Sequence, residues 1–353
     1  LEVMAEEWED AVDVVTRGFM ALTVACARCH QHKYDPFTMR DYYALAGVFA
    51  STQVDKRKIE IADGSQAEAH VVKDGKVKNL PVFRRGNVED KGEEVARRFL
   101  EILAGPEPRP FAGGSSGRGD LAEVIADPKN PLTARVMVNR LWQMIFGRGL
   151  VATTSNFGKL GARPTHPELL DYLALRFVED GWSVKNLLRQ MVLSSTYRQS
   201  SFVSRQRRSL DEGNQWLSYM ERRRLSAEML RDSLLMASGE LEYGDSGEGS
   251  KNVADSSNVR RTVYSRISRK ELDTFLAMFD YPDPNVHVSH RDQTVTPAQK
   301  LFLLNSPFVI ARAGKVAATL PGDNTVDKVE WAYRRILSRG TQDNELEAAL
   351  NFL

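Results

Sequence analysis

The feature that most constrains this chain is the sequence CARCH at residues 26–30, which has the C-x-x-C-H pattern of covalent haem attachment. Two cysteines three residues apart on one helical turn can each form a thioether to a haem vinyl group, and the histidine that follows can then bind the iron. Cys26 and Cys29 are the only cysteines in the chain. Three uses of the motif stay open at this point: haem attachment, a dithiol redox pair, or half of a zinc site.

The residues around the motif favour haem over the other two uses. A dithiol motif normally opens a helix after a strand, whereas helical spacing of apolar residues predicts one helix from Ala11 to Ala25 that leads straight into the motif. Zinc would need two more ligands, and the sequence has no second Cys/His pair at zinc-finger spacing. We therefore expect a haem c protein.

The expected ligand set follows from the order of the residues. Cys26 and Cys29 would form the thioethers, and His30 would be the proximal iron ligand. On a continuous helix His32 would point away from the iron by roughly 200 degrees, so we expect it to support the site from outside the ligand set. No methionine or histidine is singled out by spacing as the distal ligand, which is left unassigned.

Length and charge set outer bounds on the function. The 353 residues suffice for two or three domains, and the net charge of +1 gives no global field for nucleic acid, which we do not expect as a partner. No run approaches the roughly 20 apolar residues of a transmembrane helix. The first residues have neither an initiator Met nor the character of a signal peptide, so we expect the sequence to begin inside a longer polypeptide.

The patterning divides the chain into three predicted parts: 1–53, 54–119 and 120–353. In the first part, Thr38 is the predicted N-cap of a helix from Met39 to Phe49. Alternating residues from 54 to 85 predict a small β segment with a hairpin turn at Asp74-Gly75, and the Pro-, Gly- and Ser-rich stretch 106–119 is typical of a linker.

The third part is predicted to be helical. Asn130 is the predicted N-cap of a helix that ends at Gly147, with Met144 in its core and Asn139 on its polar face, and Thr165 with Glu168 predicts a capping box. Ser183 is the predicted N-cap of a helix that runs to Met191, and Thr296-Pro297 and Ser306-Pro307 each have the signature of an N-cap followed by a proline in the first helical turn. Further helices are predicted at 225–237, 326–337 and 345–352, besides a mobile loop at 240–258 and a short strand at 260–267. The fold class is therefore mainly α with a minor β part.

Three further groups of residues have a chemical and a simpler interpretation. His166 could donate to a carboxylate such as Asp171 in a hydrolase, but the helix start it occupies explains it equally well. The arginine runs 205–208 and 222–224 could bind an anion or an acidic glycan, although such runs are usually only solvated. The aspartates of the sequence DYPDPN at 280–285 could form a carboxylate pair, or simply two turns.

Two long segments resemble known families. The run ALTVACARCHQHKYDPFTMRDYYALAGVFAST is similar to the C-terminal part of the planctomycete cytochrome c-like domain. The runs DPKNPLTARVMVNRLWQMIFGRGLVATTSNFGKLGARPTHPELLDYLALRF, FDYPDPN and TPAQKLFLLNSPFV resemble the planctomycete-specific domain of unknown function that is usually fused behind it. The resemblance implies haem c at Cys26, Cys29 and His30, an exported protein and a helical C-terminal domain. It carries no catalytic residue over to this chain.

The leading hypothesis is an exported periplasmic or cell-envelope haem c protein that passes electrons to a redox partner protein, as the electron-transfer module of an oxidoreductase. One alternative is a non-redox envelope module that binds a glycan or a partner protein, with the Cys26 and Cys29 pair structural. A second alternative is a hydrolase that uses His166.

Overall fold

The computed structural model describes residues 2–60, 66–244, 252–253 and 255–353. It confirms the mainly α fold class predicted from the sequence. The chain divides into two compact units, one made of Leu1–Ile59 and Ala67–Arg223, the other of Glu60–Gln66 and Arg224–Leu353. The domain limits expected from the sequence stay a prediction.

The first unit begins with two helices that pack against each other, α1 (Glu2–Val15) and α2 (Met39–Ala50). The helix predicted to reach Ala25 ends earlier. A π-helical turn, Thr16–Met20, follows α1, and Ala21 then adopts a left-handed φ of 53°. A separate 3-10 turn, Val24–Arg28, carries the first cysteine. The predicted cap of α2 is confirmed, because Thr38 forms a reciprocal capping box with Asp41.

Within the described residues the β part consists of two two-stranded sheets, β1 (Thr52–Glu60) with β2 (Gln66–Asp74) and β3 (Leu80–Phe83) with β4 (Lys91–Val95). The β3–β4 pair is antiparallel and aligns Leu80 with Val95. The hairpin turn predicted at Asp74-Gly75 is wrong. Asp74 ends β2 instead, and the Gly75 amide donates to the Ser51 carbonyl at 2.8 Å. Residues 61–65, which join β1 to β2, lie outside the described residues.

The remainder of the first unit is helical: α3 (Glu101–Ala104), α4 (Arg118–Ala126), α5 (Thr133–Phe146), α6 (Pro167–Glu179), α7 (Val184–Leu193) and α8 (Arg205–Leu210). Helix α5 packs on α6 and α7 around a core that includes Trp142, Phe146 and Phe177. The stop at Gly147 and the cap of α7 at Ser183 are confirmed.

Three predictions for this helical part are wrong at the level of single residues. Helix α5 starts at Thr133, because the Asn130 carboxamide instead accepts from the Leu132 amide at 3.0 Å in the turn before the helix. The Thr165 hydroxyl donates to the Leu150 carbonyl at 3.3 Å, so the capping box with Glu168 does not form. Met144, predicted in the core, is 67% exposed.

The second unit contains α9 (Ala227–Ser238), α10 (Thr274–Met278), α11 (Pro297–Asn305), α12 (Pro307–Ala318), α13 (Thr325–Leu337) and α14 (Asp343–Phe352). A 3-10 turn, Thr262–Tyr264, stands where a strand was predicted, because Asp232 binds the Thr262 amide and hydroxyl. The predicted mobile loop 240–258 falls partly on residues 245–251 and 254, outside the described residues.

In the described part of the chain, no single helix is both long and apolar enough to cross a membrane. Helices α11 and α12 meet that test only when they are taken together, and they are bent by 50°.

Candidate functional site

The candidate site is the turn at residues 26–30 in the first unit. Cys26 lies in the 3-10 turn and Cys29 directly follows it, and both thiols are free and exposed. The alanines between and before them, Ala25 and Ala27, are buried, so the turn presents its cysteines outward and its alanines to the core. This alternation makes two reactive groups available on one short segment.

The backbone of the turn is held from behind by Tyr43 of α2. Its hydroxyl donates to the Arg28 carbonyl at 3.0 Å and also lies 3.3 Å from the Phe83 carbonyl. Burial raises the pKa of Tyr43 to about 12, so the hydroxyl keeps the proton that it donates. The Arg28 side chain forms an ion pair with Glu9 of α1. Two helices therefore fix the segment that carries the cysteines.

A glycine turn lies against the second cysteine. Gly86 has a φ of 75°, and a Cβ at this position would lie 2.5 Å from the Cys29 sulfur. Only glycine combines this backbone conformation with so close an approach. The absence of a side chain at Gly86 thus makes space for the Cys29 side chain.

His30 and His32 have different surroundings. The exposed His30 ring has Nδ1 2.7 Å from the Gln31 carbonyl, so the tautomer assigned by this bond leaves the Nε2 lone pair free. The His32 ring is bound at both nitrogens, with the Asp35 amide donating to Nδ1 at 2.8 Å and the Thr23 hydroxyl 3.1 Å from Nε2. Of these two histidines, His30 therefore has a ring nitrogen available to a ligand and His32 does not.

Residues 31–38, which we call the anchored loop, fix the turn to the rest of the unit. The buried Asp35 accepts from the Lys159 amide at 2.6 Å, and the Phe157 amide donates to the Ala21 carbonyl at 2.8 Å. A Cβ on Gly158 would overlap the Asp35 carboxylate. The segment 157–159 thus packs directly behind the candidate site.

A groove beside the turn carries negative charge. Its volume is about 390 Å³, and Cys26 lies in its wall. The charged residues that line it are four acids of α1 and one arginine: Glu6, Glu9, Asp10, Asp13 and Arg17. Among the described residues, no three His, Cys, Asp or Glu side chains are placed to hold a metal ion together.

Comparison with known families assigns most of the chain. Residues 117–353 match the family described as Protein of unknown function (DUF1553), and residues 1–54 match Protein of unknown function (DUF1549). The chain belongs to the DUF1553 family. The resemblance to planctomycete-type domains of unknown function is thereby confirmed, whereas neither description names a cytochrome, so haem attachment stays a prediction. No curated protein and no solved structure matches the chain.

The two segments matched by the families interlock within the first unit. The Arg140 side chain, in the DUF1553 segment, donates to the Arg17 carbonyl of the DUF1549 segment at 2.9 Å. The bonds of Phe157 and Lys159 described above join the same two segments. The candidate site therefore depends on DUF1553 residues that lie far from the motif in sequence.

The other predicted candidates in the DUF1553 region have local partners. His166 Nδ1 is 3.0 Å from the Thr165 hydroxyl, and Asp171 accepts from Arg135 Nε at 2.7 Å. No hydrogen bond or ion pair joins His166 to Asp171, both of which lie in the described part of the chain. The structure does not bring these two side chains together as a catalytic pair.

The arginines of the predicted anion site also make protein contacts. Arg223 donates to the Met144 and Ile145 carbonyls at the end of α5, at 2.9 and 2.7 Å, and Arg222 lies over the Phe202 ring. In the second unit, Arg224 forms an ion pair with Asp280. Arg223 thus caps the end of α5, Arg224 is ion-paired and Arg222 lies over an aromatic ring, so each arginine of the run 222–224 has a partner within the protein.

Sequence reasoning missed the residues that support the turn. Tyr43 lies within the predicted helix from Met39 to Phe49, and no motif marks it or Asp35 as part of a site. Gly86 and Gly158 carry no local signal, since their importance comes from what approaches them in the fold.

Proposed function

We propose that this protein carries haem c on Cys26 and Cys29, with His30 as an iron ligand, and passes single electrons to a redox partner protein. The observation that carries the proposal is the common exposure of these three side chains on a turn whose backbone is fixed from behind. Bound haem would supply one-electron chemistry between ferric and ferrous iron.

The residues present fit the attachment of the group. Both thiols are free, as thioether formation needs, and they follow each other at the spacing of the motif. The hydrogen bond from His30 Nδ1 to the Gln31 carbonyl is of the kind that orients an iron-ligating imidazole and raises its basicity. The tautomer assigned by this bond leaves the Nε2 lone pair available to the iron.

The chain's own residues would keep these ligands in place. The hydrogen bond from Tyr43 fixes the orientation of the Arg28 peptide group, and the missing side chain at Gly86 leaves space for the Cys29 sulfur. The bonds at both nitrogens of His32 make it a support of the anchored loop, which keeps it from competing with His30. Preorganisation of this kind reduces the ordering cost of binding.

The acidic groove favours a redox partner protein whose surface is positively charged. Glu6, Asp10 and Asp13 lie on the same groove as Cys26, so a basic protein surface would be steered toward the redox centre. Since covalent haem attachment in bacteria takes place outside the cytoplasmic membrane, the proposal includes export to the periplasm or cell envelope. The interpretation as an oxidoreductase module is part of the same proposal.

The test is covalent haem in protein made together with a haem c maturation system. The wild-type chain should keep a Soret band through acid–acetone extraction, since thioethers survive it. The Cys26→Ala/Cys29→Ala variant should lose the band completely, and the control His166→Ala should keep it. A wild-type chain that loses its haem on extraction and retains two alkylatable thiols would contradict the proposal. A structural role of the cysteine pair would then be the remaining explanation.

A further inference from the structure

The arginine run at residues 205–208 lies on the surface of the first unit, in helix α8. Residues 181–210 contain six lysines and arginines and no aspartate or glutamate. Arg205, Arg207 and Arg208 are all exposed. Because the whole chain has a net charge of only +1, this segment is a local concentration of positive charge.

The acids that follow the run in sequence do not pair with it. The buried Asp211 instead accepts from the Gln215 amide at 2.7 Å and from the Ser218 hydroxyl at 3.0 Å. Glu212 and Glu221 are exposed. In the described part of the chain, none of these three acids forms an ion pair with an arginine.

Two arginines of the run are free to bind a ligand. Within the described residues, the side chains of Arg205 and Arg207 have neither a hydrogen-bond partner nor an ion-pair partner. Arg208 lies over the Tyr219 ring, 5.2 Å from its centroid. The guanidinium group is planar, and its N–H donors match the oxygens of a phosphate. The run therefore presents unused donors to an anion.

Large apolar side chains are exposed around the same helix. Phe202, shortly before α8, is 73% exposed, and Leu210, the last residue of α8, is 70% exposed. Trp216 is 71% exposed, and its amide donates to Asp211 Oδ2 at 3.2 Å, which places it beside the end of α8. Exposed apolar groups of this size, when they lie together, mark a surface that binds a protein or a membrane.

The segment that carries these side chains is closed on itself. The Met220 amide donates to the Ser200 carbonyl at 3.2 Å, and the Arg222 guanidinium lies 4.6 Å from the centroid of the Phe202 ring. Residues 200–222 thus form a single loop of the first unit. We call its exposed arginine and apolar side chains the basic–apolar patch: Arg205, Arg207, Arg208, Phe202, Leu210 and Trp216.

This combination of side chains favours an anionic membrane surface over a soluble anion. Arginines bind lipid phosphates, and tryptophan, phenylalanine and leucine bury their apolar groups at the boundary between headgroups and acyl chains. An acidic glycan would occupy the arginines and leave Phe202 and Leu210 in water. A surface of anionic lipid offers partners to both kinds of side chain.

We propose that the basic–apolar patch binds the surface of a membrane that contains anionic lipid. The three arginines contact lipid phosphates, and the three apolar side chains enter the headgroup region. Haem attachment is not required for this binding, because the patch contains no residue of the turn at 26–30 or of the anchored loop.

The experiment is flotation of the full chain with lipid vesicles in a density gradient. One set of vesicles is phosphatidylcholine alone, and the other contains about one third phosphatidylglycerol. We expect the chain to float with the anionic vesicles and to stay at the bottom with the neutral ones. Added salt should weaken the binding, because it screens the attraction between arginines and phosphates.

A charge variant tests the arginines. Arg205→Gln/Arg207→Gln should lower the affinity for anionic vesicles about 30-fold, the effect expected for two basic residues at a charged membrane surface. The control Lys129→Gln/Arg163→Gln removes two positive charges at exposed positions of the first unit outside the patch and should bind like the wild type. Equal losses in the two variants would mean that only the overall charge matters, and would contradict the proposal.

An apolar variant distinguishes a membrane from a soluble polyanion. Phe202→Ser/Leu210→Ser should lower the affinity for anionic vesicles about tenfold and leave binding of dextran sulfate unchanged. Leu160→Ser/Leu175→Ser, at leucines that are 60% and 65% exposed outside the patch, is the matched control. Equal flotation with neutral and anionic vesicles, or no flotation with either, would overturn the proposal. Unchanged vesicle binding by Phe202→Ser/Leu210→Ser would also overturn it and would indicate a polyanion such as an acidic glycan.

Discussion

The turn at residues 26–30 and the anchored loop at residues 31–38 are consecutive in sequence and opposite in character. The turn exposes its thiols and its imidazole, whereas the loop binds both nitrogens of His32 and buries Asp35 and Phe37. The exposed reactive groups therefore lie on a short turn, next to a loop whose polar side chains are bound by the rest of the first unit. Substitutions in the two segments should therefore have different consequences.

The largest effect is expected where the anchored loop enters α2. Both carboxylate oxygens of the buried Asp41 accept hydrogen bonds, one from Arg98 at 2.8 Å and the other from the Thr38 amide at 2.9 Å. In Asp41→Asn the amide nitrogen must face one of these donors, and Arg98 loses its counter-charge. We expect a loss of about 3 kcal/mol in the free energy of unfolding, measured with urea at neutral pH.

The same variant has a defined pH dependence. Burial alone would raise the pKa of Asp41, but the hydrogen bonds from Thr38 and Arg98 outweigh it, and the net pKa lies below the usual value. The stabilisation is therefore complete above the unfolded-state pKa of about 3.9 and is lost as the pH falls through the folded-state pKa. The difference between wild type and Asp41→Asn should shrink below about pH 4. A difference that is the same at pH 7 and at low pH would contradict this assignment.

The second-largest effect is expected at Gly158, which packs against Asp35 of the anchored loop. In Gly158→Ala the new methyl group would overlap the Asp35 carboxylate, which is held by the Lys159 amide. We expect a loss of about 2 kcal/mol in the free energy of unfolding, typical of overpacking against a buried side chain and measured with urea. Gly119→Ala in α4, where nothing lies within 4 Å of the new methyl group, is the matched control and should be neutral or stabilising. Equal costs at the two glycines would mean that Asp35 is not fixed.

The smallest effect compares the two histidines directly, in protein prepared without haem. His32→Ala removes the hydrogen bonds to Thr23 and to the Asp35 amide and should cost about 1–2 kcal/mol. His30→Ala removes only an exposed contact to its neighbour and should change the free energy of unfolding by less than about 0.5 kcal/mol. If His30→Ala were as costly as His32→Ala, the division between turn and anchored loop would be wrong.

Local signals predicted much of the secondary structure. Thr38, Ser183 and Thr296 are N-caps as expected, because a cap needs only its own side chain and an amide two or three residues on. Helix α1 was predicted too long, since its course after Met20 depends on a left-handed Ala21 that the Phe157 amide binds from a remote segment. Asn139 was placed on a polar face and is buried, because it binds both the amide and the carbonyl of Val151.

The candidate site likewise combines residues that a local pattern reveals with residues that only the fold brings near. The cysteines and His30 are consecutive, so their pattern is visible in sequence, whereas the groups that hold them come from distant segments. Periodicity identifies which residues are apolar, and it does not identify which distant segments contact the turn in the fold.

The most direct test of the account is the intact mass of the chain made with a haem c maturation system, followed by mapping of its peptides. We predict a mass increase of one haem per chain under denaturing conditions, carried entirely by the peptide that contains Cys26 and Cys29. A chain with the mass of the unmodified sequence and both cysteines open to alkylation would contradict the central claim.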